Sequence, residues 1–157
     1  MSDLGTIPGA TGLESALNLI WADNSAICAI VPADRLLFGR IPTSEKMPYV
    51  RLEPGDGQES VITNRTIYAT HKVTFHIWSD GTSDVDLQLW PLIRNAFSAM
   101  IFDWVTGGVT NMKWDGPPSS RQTTNPEIQA WETTMSFTCQ TWQTRTDATN
   151  SWSSSGA

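Results

Sequence analysis

Arg65-Thr66-Ile67-Tyr68-Ala69-Thr70-His71-Lys72-Val73-Thr74-Phe75-His76-Ile77-Trp78-Ser79 is the stretch that decides the fold. Ile67, Ala69, Val73, Phe75 and Ile77 fall on odd positions, with His71 among them. Tyr68, Thr70, Lys72, Thr74, His76 and Trp78 fall on even ones. Successive side chains of a strand point to opposite faces, so alternation over this length predicts a half-buried antiparallel strand. Ser79-Asp80-Gly81-Thr82 then turns the chain. Residues 128–143 repeat the pattern. Trp131, Thr133, Met135, Phe137 and Cys139 face one way; Glu132, Thr134, Ser136, Thr138 and Gln140 face the other.

Working outward, Leu36-Leu37-Phe38 predicts a short strand, and Tyr49-Val50-Arg51-Leu52 a second one that stops at Pro54-Gly55-Asp56-Gly57. Val109 to Trp114 is a further strand, followed by a polar loop to about Pro126. Thr11 stands three before Glu14, a capping-box spacing, and Leu13, Leu17 and Ile20/Trp21 trace one helical stripe. Ala26 to Val31 is a short apolar turn ended by Pro32. Ser83 stands three before Asp86, and Val85, Leu89, Leu92/Ile93, Ala96/Phe97 and Met100 mark a long helix. Pro91 is expected to kink or restart that helix, and Gly107-Gly108 to end the region. The expected architecture is an α+β domain over 11–144, an antiparallel sheet of about four or five strands with helices packed on one face. Residues 1–10 read as an arm, and 145–157 as a Ser-rich tail that is disordered alone. The second sheet face is rich in Thr and Ser and flat enough to meet a partner.

The chain has 157 residues, about one domain by length, with a net charge of −6 and 17% charged side chains. That balance argues against a free-standing nucleic-acid binder, which needs a basic face to neutralise phosphates. No run of 18 apolar residues exists to cross a membrane, and the first residues show no basic region followed by an apolar run. Eight Trp, with seven Arg against three Lys, match either the buried centre of a protein–protein interface or a Trp-rich core. Both readings stay open on composition.

Chemistry-bearing constellations are sparse. His71 and His76 are five apart on a strand and so lie on opposite faces, unable to share a metal. Cys28 and Cys139 have no zinc or redox spacing and read as buried free thiols. Asp80, Asp84 and Asp86 precede a helix whose N-terminus attracts negative charge, which explains them without calcium. No nucleophile elbow, phosphate loop or dinucleotide fingerprint occurs. Neither catalysis nor a cofactor nor a metal is expected. Trp21, Trp104 and Trp131 fit the core; Trp78 and Trp142 fall on polar strand faces and Trp152 in the tail. The second group implies a covering partner or a sugar-stacking site.

Several segments in order resemble the tail-terminator, or tail-completion, proteins of long-tailed bacteriophages. They are Leu17-Asn18-Leu19-Ile20-Trp21-Ala22-Asp23, Phe38-Gly39-Arg40-Ile41-Pro42, Met47-Pro48-Tyr49-Val50-Arg51-Leu52 and Val73-Thr74-Phe75-His76-Ile77-Trp78-Ser79. The helix from Ser83 and the strand Thr133-Met135-Phe137 complete the set, so that the resemblance spans about Leu13 to Arg145. It implies a virion protein, made in the host cytoplasm, that forms a usually sixfold ring. The ring caps the tail tube protein, ends tube growth and joins the head connector, while DNA passes through the lumen without specific binding. A subunit of charge −6 agrees with such a lumen. Under this resemblance Arg40, Arg65 and Arg121 are candidates for ion pairs between subunits. Trp78, Trp142 and Trp152 are candidates for contact with a neighbour, and Asp56 and Glu59 for a loop facing the lumen or tube. Two other readings compete: another neck component of the head-completion or connector type, and a carbohydrate-binding module using exposed Trp.

Overall fold

A computed structural model describes residues 2–39, 47–55, 58–62, 65–80, 84–122 and 130–144. Its centre is the pair formed by β5 (Thr66–Ser79) and β9 (Trp131–Thr144). They pair antiparallel without a break from Thr66 opposite Thr144 to Ser79 opposite Trp131. At about 3.4 Å per residue the two strands run some 45 Å. Each has a second neighbour made of two shorter strands placed end to end. β3 (Tyr49–Pro54) and β4 (Gln58–Ile62) flank β5; β7 (Gly107–Trp114) and β8 (Ser119–Gln122) flank β9. Outside these lie β2 (Leu36–Phe38), parallel to β3, and β6 (Met100–Trp104), antiparallel to β7. β1 (Ser2–Thr6) runs parallel to β6.

The expectation of a four- or five-stranded antiparallel sheet with helices on one face is therefore corrected. Among the described residues the strands form one nine-stranded mixed sheet, and the helices are small: α1 (Leu13–Ala22), α2 (Ser25–Cys28) and α3 (Val85–Phe97). The four strands beyond the expected five are β1, β4, β6 and β8. Each is at most five residues long, and β4 and β8 carry no apolar alternation. β4 and β8 satisfy backbone groups on the long central strands, and β6 and β1 those left open on β7 and β6 in turn, a requirement that leaves no periodic mark in the sequence. β1 occupies the segment read as an arm, and β4 (with Glu59) the segment read as a loop facing the lumen or tube. β6 takes over where the long helix was expected to continue: α3 ends at Phe97, Ala99 adopts φ 58°, and Met100 opens a strand. Pro91 sits inside α3 without ending it.

The core lies on the odd face of β5 and β9. Phe75 stacks on Trp21 of α1 at 6.1 Å and meets Phe97 of α3 at 5.3 Å and Phe137 of β9 at 5.8 Å. All four rings are fully buried. The buried indole N–H of Trp21 donates to the Val31 carbonyl at 2.9 Å, which explains why a Trp is tolerated there. The start of α1 also differs from expectation. Gly12, not Thr11, is the cap residue, and the Ser15 hydroxyl oxygen accepts from the Thr11 and Gly12 amides at 2.7 and 3.1 Å. Trp131, expected in the core, is 37% exposed.

Candidate functional site

The even face of the sheet carries the polar side chains of β3, β5, β7, β8 and β9. Register brings charges into one row across four strands. Arg51 faces His76, which faces Thr134, while Trp78 faces Glu132 and Glu132 faces Arg121. Arg51 Nη2 and His76 Nε2 both donate to Glu53 Oε2, at 2.8 and 2.9 Å. The other ring nitrogen of His76 lies 3.6 Å from Glu132 Oε2 and is buried without a hydrogen bond. Arg121 Nε donates to Glu132 Oε1 at 2.9 Å, and Arg121 Nη2 forms an ion pair with the same oxygen at 2.9 Å. The result is a linked row of side chains, Arg51–Glu53–His76–Glu132–Arg121.

Burial is uneven along this row. Glu132 is only 6% exposed, whereas its cation Arg121 stays 77% exposed at the side chain. A carboxylate withdrawn from water must be compensated by charge or hydrogen bonds, and here the compensation comes from the edge strand β8. The hydrogen bond from His76 holds the Glu53 carboxyl below its ordinary range; desolvation opposes it less strongly, and the Arg51 guanidinium lowers it further. Neighbouring hydroxyls complete the face. Thr74 and Ser136 Oγ atoms are 3.2 Å apart, and Thr138 donates to Asp115 at 2.7 Å.

Aromatic residues sit at the two ends. Trp78 stacks on Tyr49 at 6.1 Å, its indole N–H buried without a partner. Trp142 lies across Gly108, where an added Cβ would fall 2.5 Å from Trp142 Nε1 and 2.9 Å from the Phe102 carbonyl oxygen. Neither indole stands clear of the sheet as a sugar platform does; each is half-buried against its own chain.

A chain of a gene transfer agent virion shares this fold. The solved structure, titled "Virion of native gene transfer agent (GTA) particle", superposes with a TM-score of 0.63 at 12% identity. The match covers 78% of this chain and 89% of that one. No family model and no curated protein matches the chain.

Of the residues singled out by sequence, Trp78 and Arg121 are brought to the same end of the sheet, flanking Glu132. Trp142 and Arg65 lie at the opposite end, Arg65 exposed just before β5. Glu59 is exposed on β4, opposite Ala69. Arg40, Asp56, Trp152 and the whole Ser-rich tail fall outside the described residues. Glu53, His76 and Glu132 as a linked set were missed. The available signal was parity: His76 and Glu132 both occupy the polar face of adjacent long strands.

Among the described residues, no group of three or more His, Cys, Asp or Glu is arranged to hold a metal ion, and no helix is long and apolar enough to cross a membrane. Concavities on the helix side include one of about 570 Å³ at the start of α1, lined by Gly12, Glu14, Pro54 and His71 among others, and two more. A groove of about 680 Å³ runs between β1, α1 and α3, lined by Leu4, Ile7, Leu19, Ile20, Ala96 and Met100 among others. A cleft of about 230 Å³ lies beside β4, lined by Glu59, Ile67, Ala69, His71, Thr141 and Gln143. Cys139, opposite His71, is fully buried, and desolvation pushes its thiol up to about 12.

Proposed function

We propose that the chain is a structural subunit of a virion and, more finely, that it forms the ring that caps a tail tube, ends tube growth and joins the head connector. The observation that carries this reading is the fold held in common with a gene transfer agent virion chain over 89% of that chain's length. The segments from Leu17-Asn18-Leu19-Ile20-Trp21 to Val73-Thr74-Phe75-His76-Ile77-Trp78 support the finer placement, through their resemblance to tail terminators. The partners are then further copies of the chain in a sixfold ring, the tail tube protein below it and the connector above it. DNA crosses the lumen past subunits of charge −6, which repel rather than grip phosphate. The role requires no catalytic group and no cofactor. A flat, hydroxyl-rich sheet face crossed by ion pairs suits contact with another protein rather than enclosure of a small substrate.

The test is to remove the protein from an otherwise complete particle and image the products. Tubes of uncontrolled length, unjoined to filled heads, are expected. Tubes of normal length joined to heads refute the proposal. Recovery of the protein with tails assembled in the absence of heads separates a tail terminator from a neck protein bound to the head.

A further inference from the structure

The outline of the sheet is stepped, and its steps are level with one another. At the Tyr68 end of the central pair, six strands lie side by side in the order β4-β5-β9-β7-β6-β1. At the Trp78 end there are five, β2-β3-β5-β9-β8. Heights follow from register. β4 lies opposite Ile67 to Thr70 of β5. On the far side Thr6 faces Asp103, Asp103 faces Gly108, Gly108 faces Trp142, and Trp142 faces Tyr68. Thr6 of β1 therefore stands level with Val61 of β4, which faces Tyr68. Among the described residues no strand lies outside either of them.

We infer that β1 of one copy pairs with β4 of the next, so that the sheets run on from subunit to subunit. This rests on the ring reading above and names the contact that closes it. Three observations select a second copy as the occupant. First, a purely lateral repeat brings β1 beside β4 with no shift along the strands, and the two then run parallel. Second, side chains complement each other on the helix face. Leu4 is 44% exposed beside the helix-side groove, while the cleft next to β4 is lined on that same face and height by Ile67 and Ala69. Third, the acidic residues avoid each other. Asp3 shares the face of Ile101, the open side, while Glu59 shares the face of Ala69, the helix side. The count of strands also decides which edge meets first. With six below and five above, contact between β1 and β4 leaves β8 and β2 separated by about 10 Å, twice the normal strand spacing. Two different edges meet head to tail, the type of interface that closes a ring.

The experiment compares assembled and dilute full-length protein by hydrogen exchange, and links copies through Asp3→Cys with Gln58→Cys in a Cys28→Ser background, using a short bis-maleimide. Expected are slower exchange on assembly at residues 2–6 and 58–62 but not at 119–122, and a covalent ladder that either single-cysteine variant fails to give. Leu4→Asp is expected to weaken assembly at least tenfold. Should copies assemble without added protection at those strands and without a ladder, the β1–β4 contact is overturned while the ring reading stands. A protein that stays monomeric at high concentration and on isolated tails overturns both.

Discussion

Replacing Arg121 with Ala tests whether the ion-pair row on the open face holds its two outer strands. The perturbation removes the hydrogen bond and the ion pair to Glu132 Oε1 and leaves a carboxylate that is 6% exposed beside a His76 nitrogen 3.6 Å away. Breaking a fully buried pair costs about 3–5 kcal/mol, and an exposed one about 0–1. Here one partner is buried and the other 77% exposed, so water replaces much of what the guanidinium supplied. A loss of about 1–2 kcal/mol follows from that intermediate geometry, or roughly 0.5–1 M in the urea midpoint at an m-value of about 2 kcal/mol/M. Glu132→Gln should cost less, because Arg121 simply returns to water. The double variant should then be close to Glu132→Gln alone, giving a coupling of about 1 kcal/mol or more in the cycle. Urea unfolding followed by far-ultraviolet circular dichroism supplies all four values. Additive effects, or an Arg121→Ala variant as stable as the parent, would refute the idea that Arg121 compensates the buried carboxylate.

Other expectations can be measured on the same footing. Gly108→Ala should lose about 1–3 kcal/mol, since its methyl would press on the Phe102 carbonyl and lift the Trp142 indole, and Trp emission should shift to the red. Glu53 has a lowered carboxyl, so its contribution to stability is present above the unfolded value near 4.5 and disappears as pH falls through the lower folded one. Glu53→Gln should therefore flatten the acid side of the stability profile. Cys139, raised to about 12, should resist a thiol reagent at pH 8 until the protein unfolds. Above pH 9 the unfolded thiol ionises and the folded one does not, so stability should decline toward pH 12 by about 1.4 kcal/mol per unit from this group. A Cys139 that labels rapidly in the native protein would contradict its burial.

The long alternating strands were legible because burial on one face imposes a period of two, and β5 and β9 show it over their central residues. α1 was legible from its stripe, although its cap sits one residue later and uses Ser15. Strands β4 and β8 were not legible. Gln58-Glu59-Ser60 and Ser119-Ser120-Arg121-Gln122 have the composition of loops and become strands only because β5 and β9 offer unpaired backbone. β6 was hidden differently: Met100 continues the helical stripe of α3, and the reversal at Ala99 has no glycine to announce it. At the candidate site, the polar faces holding Trp78, Trp142 and Arg121 could be read from parity. The row linking Glu53, His76 and Glu132 could not, because it depends on the register between strands separated by up to 79 residues in the chain, Glu53 to Glu132.

The docking of β1 against β6 also sets an order of events. Ser2 lies opposite Met100, so β1 is synthesised long before the strand that receives it, and β6 in turn needs β7 and β9 behind it. A nascent or partly folded chain thus has no finished outer edge on that side. In the folded subunit that edge therefore rests on every pairing between β1 and the central pair, so loss of any one of them removes the edge as well.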